Sequence, residues 1–423
     1  MATKEYSPFT PGVPVPVDFF VGRSREVEEI AAKAGAAATG RLERAFVIGE
    51  RGIGKSSLCH YAAMVAEEHH KLLSLHVFLG GVSSLDEMVR RIFERLLKDS
   101  IDRPWHQKVR DFLGNHVRQV GLFGITVEFG APAQELKQLV WDFVPAVRNL
   151  VKALGEAKKG LMLILDDLNG LAASLEFANW LKSQVDEMAT GREPIPMLLV
   201  LVGLPERRSQ LVQLQPSLGR VFDVVEIGRL TQDETKELFH RALERVQVKL
   251  EPVAADVLWW FSGGFPALAH EIGDATFKVD SDNLIDGKDA YTGVVLAADV
   301  IGRKYIEPQV FAAIRSERYR SILRKLAPLP LLSGFTQTEF TRKQAAASLD
   351  ETEKRVLDNF LGKMKQLGVL TSAADLGSGG YRFASALHCV YFWLEAQRAK
   401  EQRQLPLIGA AIQRAAARRL AKG

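Results

Sequence analysis

Cysteine is scarce: the 423 residues contain two, Cys59 and Cys389. They stand far apart with no C-x-x-C spacing, which excludes a disulfide framework and a cysteine zinc site. Nine histidines form no H-E-x-x-H, so a zinc-protease helix is excluded as well. His69-His70 reads as the surface end of a helix and His388 as core. No apolar run approaches the roughly 18 residues of a membrane span. The longest tight run, Pro196 to Pro205, has the length of a core strand. The first residues, MATKEYSPFTPG, lack the charged-then-apolar order of an export signal. Repeats and low-complexity tracts are also missing. A cytoplasmic chain without a membrane partner is expected.

What is present belongs to a globular protein: 47% apolar and 25% charged residues. The length calls for two or three domains. Net charge is only +4, but it is unevenly spread. Residues 300–423 carry 21 Lys and Arg against 10 Asp and Glu, whereas residues 1–299 carry 34 against 41. A basic end on an acidic body points to a polyanionic partner; a solvated basic face is the plain alternative.

The chain is organised around Arg44 to Leu58, RAFVIGERGIGKSSL. Ala45 to Ile48 reads as a buried strand. Gly49 to Ser56 then matches G-x-x-x-x-G-K-[ST] in full. Gly49, Gly52 and Gly54 let backbone N–H groups approach an anion. Ile53 and Ser57 complete the loop's lining, Lys55 reaches the outer phosphates, and Ser56 offers an oxygen to Mg²⁺. The helix that follows turns its positive end to the same phosphates. A second stretch, Gly160 to Asp167, is an apolar run ending in two acids. It reads as a buried strand with Asp166 and Asp167 at its carboxyl end, the edge where open α/β sheets bind ligands. Asp166 is the second Mg²⁺ anchor. Asp167 either orients the attacking water or caps the next helix.

Strands Leu72–Leu79 and Met197–Gly203 alternate with helices near Ser84–Leu97, Ala133–Leu154 and Leu175–Met188, which predicts a parallel sheet with helices on both faces. Residues 116–132 alternate and are broken by glycine, and read as an inserted strand or hairpin. The expected division is an extended N-terminal arm, 1–18, a nucleotide-binding core, 19–229, a helical lid, 230–280, a helical connector, 281–316, a winged helix, 317–400, and a basic tail, 401–423. The winged helix is expected to place helices at Glu317–Leu326, Thr338–Ala346 and Glu351–Leu367, with strands at Val369–Thr371 and Tyr381–Phe383 and a last helix at Leu387–Lys400. Arg342, Lys343, Lys354, Arg355, Lys363 and Lys365 are its candidate DNA contacts. In the tail, Leu407, Ile408, Ala411, Ile412 and Ala415 form an apolar stripe beside Arg414 and Arg418, suited to packing on the winged helix while meeting DNA phosphates.

These residues resemble AAA+ and STAND P-loop ATPases, in particular those similar to origin-recognition initiators, over roughly residues 19–385. Phe20-Val21-Gly22-Arg23 resembles the motif that opens the family's domain, which implies that Val21, Gly22 and Arg23 flank adenine. Gly263-Gly264-Phe265-Pro266 is similar to the G-x-P of STAND lids, which implies a contact of Pro266 with adenine. Arg220 lies where the family carries an arginine finger, and a surface salt bridge is the alternative there. Three departures stand out. Asp166-Asp167 replaces the usual Asp-Glu, a sensor arginine near Pro266 is missing, and Val202 to Glu206 offers no Asn or Thr. The resemblance implies an ATP- and Mg²⁺-dependent, slowly hydrolysing ATPase. Its nucleotide state would control homo-oligomerisation and DNA binding. The alternative is a signalling or defence switch whose winged helix folds back on its own core and recruits a separate partner protein.

Overall fold

The computed structural model describes residues 6–16, 19–114, 117–120, 126–191, 195–314, 316–327, 339–373, 376–377 and 379–400. The basic tail lies outside them. The chain divides into two compact units, Pro14–Gly228 and Met1–Val13 with Arg229–Gly423. No helix among the described residues is long and apolar enough to cross a membrane.

The first unit is built on β1 (Leu42–Ile48), β2 (Leu72–Phe78), β5 (Gly160–Asp166), β6 (Met197–Gly203) and β7 (Asp223–Glu226). They form one sheet in the order β2-β5-β6-β1-β7, with every neighbouring pair parallel. All seven residues of β5 and of β6 are buried, as in strands covered on both faces. Leu161, Leu163 and Leu165 join a core with α3 (Leu85–Ser100), α6 (Phe143–Leu154) and α7 (Leu175–Thr190). Met162 and Ile164, on the other face, are equally buried, and α1 (Ser24–Ala38) and α2 (Lys55–His70) pack on the sheet. The expected α/β core with a parallel sheet is what forms.

The helix expected over Ala133–Leu154 is instead two, α5 (Ala133–Trp141) and α6. Pro145 has no N–H for the carbonyl of Trp141 and its ring crowds that oxygen, so the chain leaves helical geometry at Asp142, φ −92° and ψ 25°. The glycine-broken stretch forms a hairpin, β3 (Val117–Val120) antiparallel to β4 (Thr126–Phe129). Its Phe129 is buried against Phe93, with ring centroids 5.4 Å apart.

The second unit is largely helical: α10 (Gln232–Glu244), α11 (Pro252–Ser262), α12 (Pro266–Val279) and α13 (Gly287–Ile301), followed by a wide π-helical stretch, Gly302–Phe311. Residues 6–13 belong to it. Phe9 is buried between Phe239 and His270, and the Thr10 N–H donates to His270 Nδ1 at 3.1 Å. Burial pushes the His270 pKa down to about 4, so the ring is neutral and free to accept that bond. Gly293 on α13 meets the backbone of Thr276 on α12 so closely that a Cβ there would stand 2.6 Å from the Thr276 Cα.

Farther along come α14 (Glu317–Leu326) and a three-stranded antiparallel sheet in the order β10 (Glu339–Thr341), β12 (Gly380–Phe383), β11 (Leu370–Ser372). Two expectations are corrected here. Residues 339–341 are strand, and the helix starts only at Arg342, because Thr341 and Gln344 form a capping box. The span 351–367 is two helices, Glu351–Lys354 and Leu357–Gln366. Glu353 is buried and turned inward to Ser321 Oγ and Lys325 Nζ, both at 2.6 Å. A last helix spans Ala386–Lys400.

Candidate functional site

β1 is the middle of a switch in strand order: its neighbours β6 and β7 both come later in the chain. The loop leaving it therefore opens at the sheet's carboxyl edge. Gly52 and Gly54 take φ of 81° and 99°, open to glycine at little cost. A Cβ on Gly49 would fall 2.8 Å from the Ile227 carbonyl oxygen. Gly54 is the N-cap of α2 and supplies no side-chain cap. Among the described residues, no backbone acceptor meets the N–H groups of Gly52, Gly54, Lys55 and Ser56. N–H groups left without a backbone acceptor at a helix start suit an anion.

Lys55 opens α2, and its Nζ donates to the carbonyl oxygens of Gly49 at 2.9 Å and Glu50 at 2.8 Å. Burial lowers its pKa, while the charges of Asp166, Asp167 and Glu206 pull it back up. Lys55, both acids and Glu206 thus share one electrostatic neighbourhood. Glu206, exposed near the start of α8 (Pro205–Leu214), was not expected there. Its signal was its place just beyond an apolar strand, as with Asp166. Ile53 is buried beneath the loop, and Ser57 Oγ accepts from the Val15 N–H at 3.1 Å.

Asp166 is 3% exposed at the end of β5, and its Oδ2 lies 2.9 Å from Nε2 of the buried His76. Asp167 takes a left-handed φ of 59°, and its Oδ1 accepts from Asn169 Nδ2. Its Oδ2 stands 2.8 Å from where a Gly80 Cβ would be, so a side chain at position 80 would make that carboxylate shift. Asp167 does not cap the next helix: Ser174 caps α7, accepting from the Phe177 N–H at 3.2 Å. With Glu206, His76 and Asn169 are residues that sequence reasoning missed. A lone histidine in the apolar run LLSLHVF was the available signal for His76.

Arg23, left-handed at φ 63° and buried, donates from Nη2 to the Ile53 carbonyl at 3.3 Å, which ties Val21-Gly22-Arg23 to the loop. Phe20 stacks on Tyr61 of α2 at 4.7 Å. Arg220, on α9 (Leu218–Val221), is exposed, and among the described residues it has no ion pair. Pro266 opens α12 in the second unit; its assignment rests on the resemblance.

Comparison with known proteins adds the following. The family model described as AAA ATPase domain matches residues 20–201. A search of curated proteins finds no match. Among solved structures, the ORC2 protein of Aeropyrum pernix, in ADPNP–ADP complexes, is 15% identical, with 100% of each chain covered and a TM-score of 0.58. A Walker-type ATPase of Pyrococcus abyssi is 14% identical, covers 88% of this chain and 96% of its own, and has a TM-score of 0.52. Both likenesses are of fold. Residues 20–201, the span that the AAA ATPase domain model matches, hold the phosphate loop, the acid pair and Arg23.

Proposed function

We propose that the chain binds ATP with Mg²⁺ at the Gly49–Ser57 loop, hydrolyses it slowly, and uses nucleotide state to govern self-association and DNA binding. The observation carrying this is the set of unpaired N–H groups at the start of α2, with Lys55 set between them and the acids of β5. The Mg²⁺ assignment fits the donor chemistry. Ser56 and Asp166 offer oxygens, and no cluster of three or more His, Cys, Asp or Glu is placed to hold a metal among the described residues. A hydrated Mg²⁺ completed by phosphate oxygens suits so sparse a set. Bound there, it would neutralise charge on the phosphates. Asp167 would orient the attacking water, with Asn169 holding its carboxylate. Val21, Gly22 and Arg23 would contact the base. Arg220 would act on a neighbouring subunit's nucleotide, for which its exposure suits it.

Asp167→Asn is expected to keep ATP affinity and slow single-turnover hydrolysis about 100-fold, the scale of a lost general base. An unchanged rate would reduce Asp167 to a structural role. Arg220→Ala is expected to slow turnover only where subunits associate. Titrating in a subunit that binds no nucleotide but keeps Arg220 should restore the rate, and failure to restore it would remove the finger assignment.

The helices and three-stranded sheet after Glu317 are read as a winged helix that meets DNA through phosphates. Lys343 and Arg355 are exposed candidates. A second reading, the signalling switch, is favoured by the module's own ion pairs. Arg342 is held by Asp358 at 2.6 and 2.9 Å, and Lys354 by Glu351 at 2.8 Å, so several of its cations already face acids. Binding to duplex DNA, with and without ATP and across salt, separates the two. The first reading expects ATP-dependent binding whose log K falls with log salt by about 0.9 per phosphate met. Absence of DNA binding in both states would leave the switch.

A further inference from the structure

Asp166 and His76 form a buried polar pair on neighbouring strands. In the β2–β5 register, Phe78 stands opposite Asp166 and His76 opposite Ile164, so the histidine approaches the acid diagonally, from within the sheet's edge. His76 is 6% exposed and its ring stacks on Phe78, with centroids 4.5 Å apart and planes 23° apart. That stacking, together with burial, leaves the imidazole few orientations. Nε2 lies 2.9 Å from Asp166 Oδ2. An ionised carboxylate only accepts, so the proton of this bond sits on His76 Nε2. Among the described residues no other hydrogen bond reaches the Asp166 carboxylate, so Oδ1 is left for another partner.

We propose that His76 is a positioning residue: it fixes the Asp166 carboxylate by one oxygen so that the other faces the divalent cation of the nucleotide. This rests on the reading of Asp166 as a Mg²⁺ anchor. The physical case is that a side chain with two equivalent oxygens and a free torsion loses precision when neither oxygen is tied. Partners of ligating groups typically carry 10–100-fold of metal affinity. A β2 that needed only to fill the core would take valine or isoleucine at this buried place, with no polar group to satisfy.

The test is the Mg²⁺ dependence of binding of a fluorescent ATP analogue, measured from EDTA to saturating Mg²⁺. Wild type is compared with His76→Phe, which keeps a ring and removes the donor, and with His76→Gln, which keeps an N–H donor. His76→Phe should need about tenfold more Mg²⁺ to reach half of the gain in affinity. Affinity in EDTA should be unchanged, and His76→Gln should recover most of the loss. A folded His76→Phe with the Mg²⁺ midpoint of wild type overturns the proposal. Should His76→Phe fail to fold, the histidine ¹⁵N resonances of the wild-type chain decide. The signal missing from His76→Gln should shift when Mg²⁺ is added to the ADP-bound protein, and an unmoved signal overturns the proposal. If wild type binds no analogue under any condition, the nucleotide reading itself falls; an equal midpoint removes the role of His76 alone.

Discussion

Lys55→Ala is expected to lower ATP affinity at least about 100-fold while leaving the circular dichroism spectrum unchanged. A hydrogen bond to a charged group contributes about 1.5–3 kcal/mol, and every 1.4 kcal/mol is tenfold in affinity. Removing the ammonium has a second effect. The carboxylates of Asp166 and Asp167 lie within its field, as the pull on its pKa reveals. Without Lys55, a triphosphate would enter beside two acids with one compensating cation fewer. The fold should not suffer, because among the described residues Nζ is bonded only to the Gly49 and Glu50 carbonyls of its own loop. Titration with a fluorescent ATP analogue checks this. A mutant affinity within threefold of wild type would remove the phosphate-binding role of the loop.

Gly293→Ala is expected to destabilise the fold by about 2 kcal/mol. The new Cβ would lie 2.6 Å from the Thr276 Cα and 2.7 Å from its N, and nearer still to its Oγ1. Backbone atoms cannot rotate away, so α12 and α13 must part, and overpacking of this kind costs about 1–3 kcal/mol or more. Against it stands the helix propensity of alanine over glycine, about 1 kcal/mol. Gly362→Ala isolates that opposing effect. Gly362 lies in the helix Leu357–Gln366 with nothing within 4 Å of its would-be Cβ, so alanine there should stabilise by about 0.5–1 kcal/mol. Thermal unfolding of the two variants should therefore move in opposite directions. A Tm for Gly293→Ala at or above that of wild type would show that the helices do not approach so closely.

The phosphate loop, the two buried strands around it and the paired acids were legible because their signals are local: a glycine spacing, an apolar run, a change to charge at its end. Glu317–Leu326 was read to the residue for the same reason, since Ile322, Leu323 and Leu326 repeat at helical spacing. What escaped was mostly decided across the chain. Nothing in ETEKRVLDNF announces a break after Lys354; it accompanies the burial of Glu353 beneath α14, beside Ser321 and Lys325. The tie between His76 and Asp166 joins residues 90 apart in sequence. The break at Asp142 is a different matter: Pro145 is a local signal, present in the sequence. Residues 401–423 and the start expected at Thr338 lie outside the described residues.

The strand order has a consequence for how the protein comes into being. β1 pairs with β6, Ala45 beside Val200, and with β7, Phe46 beside Val224. Neither native partner exists when β1 leaves the ribosome. At about 5–20 residues per second, the rest of the sheet follows roughly ten to thirty seconds later. Through that interval β1 waits without its strand partners, and the glycine loop hangs from a strand with no sheet to hold it. The phosphate site is thus among the first parts of the chain to be synthesised and among the last to acquire its shape.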